Sequence, residues 1–333
     1  MAMNNNHLKQ FPMLMAGKKV MYVHGFGSSA QSGTVALLRH TLPQTEVVAY
    51  DLPVVPQEAM ALLRQRCQAD NPDLIVGTSM GGMYAEMLYG FDRVLVNPAF
   101  RMGETMRAHN LMGLQHFQNL RQDGVQEFLV NKSTVKAYQE MTEQCFSAIS
   151  SEEKQRVFGL FGRYDDLVDT YDLFLRHYPN AIRFDGGHRL DDSALLHSVI
   201  PVIRWIDDRQ NHTERPLILV QVDTLRDGAG NTASAAMKAL EFLAENYRVC
   251  FLAGSPTTDA EYTSRVRLWV DKHMGVLAFN RLTFTNQREM LLADYLIARA
   301  ECDDFIGTTV IFGSEETKTW EEVHTYFSRL GGQ

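Results

Sequence analysis

Apolar and polar positions along this chain fall into two alternating series separated by a polar stretch. In the first, residues 19–23 are apolar once past Lys19 and predict a buried strand. Residues 31–42 follow with Val35, Leu38 and Leu42 at helical spacing, then an apolar run at 47–50 closed by Asp51-Leu52-Pro53. Residues 56–69 predict a helix, 74–76 a strand, 83–89 a helix and 93–96 a strand ending at Asn97-Pro98. From 99 to about 156 the alternation stops. That segment is helical in composition and rich in Met and Phe (Met102, Met106, Met112, Phe117, Phe128, Met141, Phe146), and it stands where a lid would be inserted. The apolar stripe reads either as core filling or as an adaptable wall for an acyl group. A strand at 157–161, a helix at 172–178, a strand at 181–184 and a helix at 193–205 complete the series. Strands alternating with helices predict a parallel sheet covered on both faces.

Residues 207–215 are polar throughout and read as a linker. The second series then predicts strands at 217–222, 248–252, 281–285, 295–297 and 308–312. Its helices are at 232–246, 259–274, 287–294 and 320–330. The pattern is that of a compact, Rossmann-like, three-layer α/β domain. The expected organisation is an N-terminal extension at 1–17, a first domain at 18–207 with its lid at about 99–156, a linker at 208–215 and a second domain at 216–333.

The candidate chemistry of the first series sits at Gly77-Thr78-Ser79-Met80-Gly81-Gly82, between a strand and a helix. Gly-x-Ser-x-Gly in that context is a nucleophile elbow: the chain turns so tightly that the serine is strained and the flanking glycines make room for neighbouring backbone. A serine hydroxyl is a weak nucleophile and needs a histidine base oriented by a carboxylate. Asp165, in Gly-x-x-Asp-x-x-Val, and His188, in Gly-Gly-His, follow in the order Ser, Asp, His, each just after its own strand. Asp166 is the alternative acid. An oxyanion hole needs two backbone N–H groups. That of Met80 opens the helix after the serine, where negative charge is favoured, and the loop His24-Gly25-Phe26-Gly27 supplies the other, from Phe26 or else Gly27. His24 itself reads as structural, its ring bonded to loop backbone.

Composition narrows this further. Of 333 residues 45% are hydrophobic and 22% charged, ordinary for a globular protein, and the net charge of −8 argues against nucleic acid or an anionic membrane as partner. No apolar run approaches a membrane span, and residues 1–17 lack the pattern of a signal peptide. Cys67, Cys145, Cys250 and Cys302 are scattered, without metal-ligand spacing, which points to free thiols and a cytoplasmic protein.

The segments Val23-His24-Gly25-Phe26-Gly27-Ser28-Ser29, Gly77–Gly82, Val96-Asn97-Pro98-Ala99 and Gly187-His188 resemble the YqiA-like (YcfP-like) group of small bacterial α/β-hydrolase esterases, over roughly residues 18–207. The resemblance implies an α/β-hydrolase fold with a helical lid. It also implies hydrolysis of short-chain esters or thioesters, with a small acyl substrate; the serine chemistry itself needs no metal or organic cofactor. Arg281–Thr285, Asp294–Ile297 and Ile311–Ser314, with Trp320 after them, are similar to the 5'(3')-deoxyribonucleotidase branch of the haloacid dehalogenase-like phosphatases. Such enzymes attack phosphorus with the first Asp of a strand-end Asp-x-Asp and bind Mg²⁺ there. In this chain Gln221 stands where the nucleophile belongs, ahead of Asp223. Asp294 is kept, while Ala298 and Ala300 replace acidic residues. Ser255 fits the phosphate-binding hydroxyl, Arg288 lies near an expected lysine, and 227–232 leaves no room for a cap domain. The expectation is a catalytically inactive domain without metal that binds, packs or forms a homo-oligomer. The competing readings are a scaffold protein in which both domains are relics and a Mg²⁺-dependent phosphatase.

Overall fold

Strand β1 (Lys19–Val23) is the first strand of the chain and lies inside its first sheet, one place from the edge. Its apolar residues from Val20 to Val23 are all buried, as a strand covered on both faces requires. Around it α1 (Gly33–Thr41), β2 (Glu46–Ala49), α2 (Pro56–Asp70), β3 (Leu74–Thr78), α3 (Met80–Glu86) and β4 (Arg93–Val96) alternate. Pro56 opens α2 with its φ preset for a helix, and Asn71 closes it in the left-handed conformation at φ +43°. The excursion that follows holds α4 (Met102–Ala108), β5 (Gly113–His116), β6 (Glu127–Val130), α5 (Lys132–Thr142) and α6 (Glu153–Arg156). The main sheet resumes with β7 (Val157–Gly162), α7 (Tyr171–Leu175) and β8 (Ala181–Phe184). Helix α8 (Asp192–Ala194) then passes through one π-helical turn (Leu195–Val199) into α9 (Ile200–Gln210). All six main strands are parallel, in the order β2-β1-β3-β4-β7-β8. This is the sheet of an α/β-hydrolase fold.

This computed structural model describes residues 8–226 and 235–331. The chain divides into two units, the first ending at Asp207 and the second beginning at Asp208.

Three expectations for the first unit change. The lid is only partly helical, because β5 and β6 pair as an antiparallel hairpin. Phe128 and Val130 turn into the core while the equally apolar Leu129 and Leu114 point outward, 59% and 58% exposed, so the period of two is invisible in composition. Met102, Met106 and Met141 are buried core, and Met112 is 41% exposed. Residues 8–17 are no loose extension: Leu14 and Met15 are buried, and Met15 N–H donates to Asp207, which also pairs with Lys18 Nζ at 2.6 Å. The polar stretch from Asp207 to Gln210 is the end of α9, and Asp208 forms an ion pair with Arg215 at 2.8 Å.

The second unit is a parallel sheet of five strands, β9 (Leu217–Gln221), β10 (Arg248–Ala253), β11 (Leu282–Phe284), β12 (Leu292–Ala298) and β13 (Ile306–Ile311), in the order β11-β10-β9-β12-β13. Helices α10 (Ala236–Asn246), α11 (Tyr262–His273) and α12 (Trp320–Arg329) share one core with Ile218, Val220, Val249, Phe251 and Ile297. Those are alternate strand residues, so the three helices lie on one face. The opposite face, Leu219, Leu252, Leu296 and Ala298, is covered by Phe305, Leu291 and Cys302. The helix expected at 287–294 is there only a 3₁₀ turn, Arg288–Met290, because β12 begins at Leu292. The start of the helix expected at 232 and the 227–232 connection lie outside the described residues.

Candidate active site

Ser79 joins the end of β3 to the start of α3 at φ +54°, ψ −120°, a conformation that costs a non-glycine residue strain and persists only where the surroundings impose it. The surroundings are backbone. A Cβ on Gly81 would stand 2.0 Å from the Val23 carbonyl oxygen, and one on Gly77 2.5 Å from that of Gly81. Those two glycines therefore let β1, β3 and α3 meet at the turn. The Ser79 N–H donates to Val96 O at 3.0 Å, and its carbonyl accepts from the Gly82 and Ala99 N–H groups, both at 2.9 Å.

The serine hydroxyl faces a histidine. His188 Nε2 lies 3.1 Å from Ser79 Oγ, and its Nδ1 lies 2.8 Å from Asp165 Oδ2. The other carboxylate oxygen of Asp165 accepts the N–H groups of Leu167 and Val168, each at 2.9 Å. Burial alone would raise the Asp165 pKa. The hydrogen bond from His188, together with the two N–H groups, outweighs it and holds the carboxyl below the usual carboxylate range. An ionised carboxylate only accepts, so Nδ1 carries the imidazole proton and Nε2 presents its lone pair to the serine hydroxyl. The Asp165 side chain is 3% exposed and that of His188 16%. Asp166, the alternative acid, is exposed.

Among the described residues, no backbone carbonyl takes up the N–H group of Phe26 or of Met80. Phe26 sits in the loop after β1 and Met80 is the first residue of α3. The ring of Phe26 packs edge-on against Phe128 of the lid, centroids 5.3 Å apart, and Phe128 in turn meets Phe117 at 4.4 Å.

The lid is sewn to the loops after β1 and β2. Gln118 N–H donates to Gly27 O (2.7 Å), Ser29 Oγ to Leu120 O (2.7 Å) and Gln122 N–H to Asp51 (2.6 Å). Tyr138 on α5 reaches the elbow itself, its hydroxyl 3.1 Å from Met80 Sδ. Local pattern gives no sign of Asp51 or Tyr138, since their partners lie 71 and 58 residues away in the chain.

His24 does other work. Its Nδ1–H donates to Gly25 O at 2.8 Å and its Nε2 accepts the Leu52 N–H at 3.2 Å, so both nitrogens serve loop backbone. Burial pushes its pKa down to about 4. A folded-state pKa below the unfolded value of 6.5 means that the unfolded chain takes up the proton first. The stabilisation is complete above pH 6.5 and is lost as pH falls towards 4. At ~1.4 kcal/mol per pKa unit, the loss between pH 7 and 4.5 is about 2 kcal/mol. Urea unfolding at the two pH values measures it, and the His24→Asn variant is expected to lack that part of the decline.

In the second unit a cavity of about 330 Å³ opens at the carboxyl ends of β9 and β10. Its lining includes Gln221, Gly254, Asn286, Arg288 and Asp304. Ser255 adjoins it, its backbone held at both N–H and C=O by the Asn286 amide (2.8 and 2.7 Å). Asp223 lies past the strand in a 3₁₀ turn, where its carbonyl accepts from Arg299. Asp294 is at the opposite end of the sheet, accepting the Leu217 N–H at 2.7 Å. Ala298 ends β12 and is buried. Among the described residues no group of three His, Cys, Asp or Glu side chains could hold a metal ion. With an uncharged Gln221 at the strand end, these residues do not fit Mg²⁺.

A family model described as uncharacterised protein family UPF0227 matches residues 19–200. In the C-terminal region the chain is similar to a protein of Vibrio phage KVP40 assigned as a 5'(3')-deoxyribonucleotidase, with 27% identity over 96 residues. The match takes in 28% of this chain and 56% of that protein, so the chain spans about half the length of this relative. Among solved structures, a monoglyceride lipase from Saccharomyces cerevisiae aligns with 60% of this chain and 90% of its own (TM-score 0.40, 12% identity). The esterase domain of a Rhodothermus marinus protein aligns with 61% and 91% (TM-score 0.40, 14% identity). Among the described residues no helix is long and apolar enough to cross a membrane.

Proposed function

The chain belongs to the UPF0227 family, and on that premise we propose that its first unit hydrolyses carboxylic esters or thioesters through Ser79, His188 and Asp165. The observation that carries the reading is the unbroken hydrogen-bonded run from Asp165 through His188 to a serine held at positive φ. His188 Nε2 takes the hydroxyl proton as Ser79 Oγ attacks the acyl carbon. The negative charge that forms on the carbonyl oxygen is stabilised by the N–H groups of Phe26 and Met80. Imidazolium then returns the proton to the departing alcohol or thiol, leaving an acyl-serine. Water, deprotonated by the same imidazole, releases the acid and restores the serine. Asp165 stays ionised and holds the ring. The Phe26–Phe128–Phe117 cluster borders the loop that carries the Phe26 N–H, which favours an apolar acyl group.

The second unit is proposed to bind or pack rather than to catalyse, because Gln221 can neither form a phospho-enzyme nor bring charge to a metal. The purified protein is expected to turn over at least one member of a graded series of p-nitrophenyl esters and acyl thioesters. It is expected to release no phosphate from deoxynucleoside monophosphates with Mg²⁺. Absence of turnover across the whole series would remove the first reading, and phosphate release the second.

A further inference from the structure

The segment Asn97-Pro98-Ala99 takes no part in the chemistry above, yet it is bonded to the elbow, the acid loop and the histidine loop. Asn97 directly follows β4 at φ +46° and is 1% exposed. Its amide oxygen accepts the Gly162 N–H at 2.7 Å, at the start of the loop that carries Asp165. Its amide nitrogen donates to Gly187 O at 2.8 Å and to His188 O at 3.0 Å. A primary amide has two N–H donors and one carbonyl, and here both donors and the carbonyl are used with the correct polarity. Reversing the amide would set NH₂ against an N–H and the oxygen against two carbonyls. The two loops it joins already touch: a Cβ on Gly162 would stand 2.6 Å from the carbonyl oxygens of Gly186 and Gly187. On either side of Asn97, Val96 O and Ala99 N–H hold the N–H and C=O of Ser79. Thr170, on the far side of the acid loop, donates to Pro98 O at 2.7 Å.

Resting on the hydrolase reading, we propose that Asn97 is a positioning residue, its buried amide locking the acid loop and the histidine loop in register with the elbow. Asparagine suits the place twice over. It tolerates a left-handed backbone better than most residues, and only an amide presents donors and an acceptor in this arrangement.

The variant Asn97→Gly keeps the backbone unstrained and deletes the amide, while Asn97→Asp keeps shape and acceptor but turns a carboxylate oxygen towards two carbonyls. A fluorophosphonate ester taken to its labelling end point counts working serines, and kcat for p-nitrophenyl acetate is expressed per labelled serine. A displacement on the order of 1 Å in reacting groups costs about a hundredfold. Both variants are therefore expected to lose about 10- to 100-fold in kcat per labelled serine with KM within about twofold of wild type. A merely structural role would lower the number of labelled serines and leave kcat per serine unchanged, and that result overturns the proposal. If Asn97→Gly does not fold, Asn97→Asp decides alone: wild-type kcat per serine there overturns it equally. Failure of the hydrolase reading shows separately, as a wild-type protein that neither labels nor turns over ester.

Discussion

Replacing Ser79 by alanine is expected to lower kcat for ester hydrolysis by about 10⁴- to 10⁶-fold, with the melting temperature little changed. The size of the effect follows from what remains. Alanine occupies the same strained turn, and the N–H groups of Phe26 and Met80 stay in place, so an ester can still be polarised. What is gone is the oxygen proposed to take the acyl group, and water must attack from solution without a covalent intermediate. Ser79 is held in the turn through its backbone. Its backbone N–H and C=O, which bond Val96, Gly82 and Ala99, are unaffected by the substitution.

Asp165→Asn is expected to cost about 10³- to 10⁴-fold, for a different reason. The Leu167 and Val168 N–H groups require an oxygen at one end of the side chain, which turns the NH₂ of an asparagine towards His188 Nδ1. That nitrogen must then accept rather than donate. The imidazole proton moves to Nε2 and faces the serine hydroxyl, where it cannot receive a proton. The base is present but in the wrong tautomer. Asp166→Asn, on the exposed neighbour, is expected to stay within about twofold of wild type. Steady-state kinetics on the two variants at pH 7.5 separate the carboxylates.

The parts of this site that lie in single loops are those the sequence displays. Gly77, Ser79 and Gly81 are close in the chain because one turn brings β1, β3 and α3 together, and steric need is written into the spacing. Asp165 and His188 each follow a strand, so chain order and strand ends bring them forward as candidates, with Asp166 open beside Asp165. Asn97 behaves differently. Its partners, Gly162 and His188, lie 65 and 91 residues away. Locally it is an asparagine before a proline at a strand end, a segment that carries family resemblance but no sign of a role for the side chain. The lid hairpin is hidden for another reason. Leu114 and Leu129 face outward, so apolar composition suggests helix where the pairing makes a strand. In the second unit the 287–294 segment has helical spacing, but pairing of Tyr295 with Ile218 and Thr308 draws the backbone before it into β12 and leaves a single 3₁₀ turn.

The lid bonds give the account a further consequence for substrate entry. Gln118, Leu120 and Gln122 bind the loop that carries Phe26 and the carboxylate of Asp51, so the lid and the proposed oxyanion loop form one hydrogen-bonded body. The apolar residues around Phe128 are thereby held beside the N–H proposed to stabilise the oxyanion, so on that reading the same stretch of chain would set acyl preference and catalysis.

The central claim is that Ser79 is an activated nucleophile, and the most direct measurement is the intact mass of the protein after exposure to a fluorophosphonate ester. The account predicts a single covalent adduct that maps to the peptide containing Ser79, forms in wild type and is absent from Ser79→Ala. An unmodified wild-type protein, or an adduct that persists in Ser79→Ala, would contradict it.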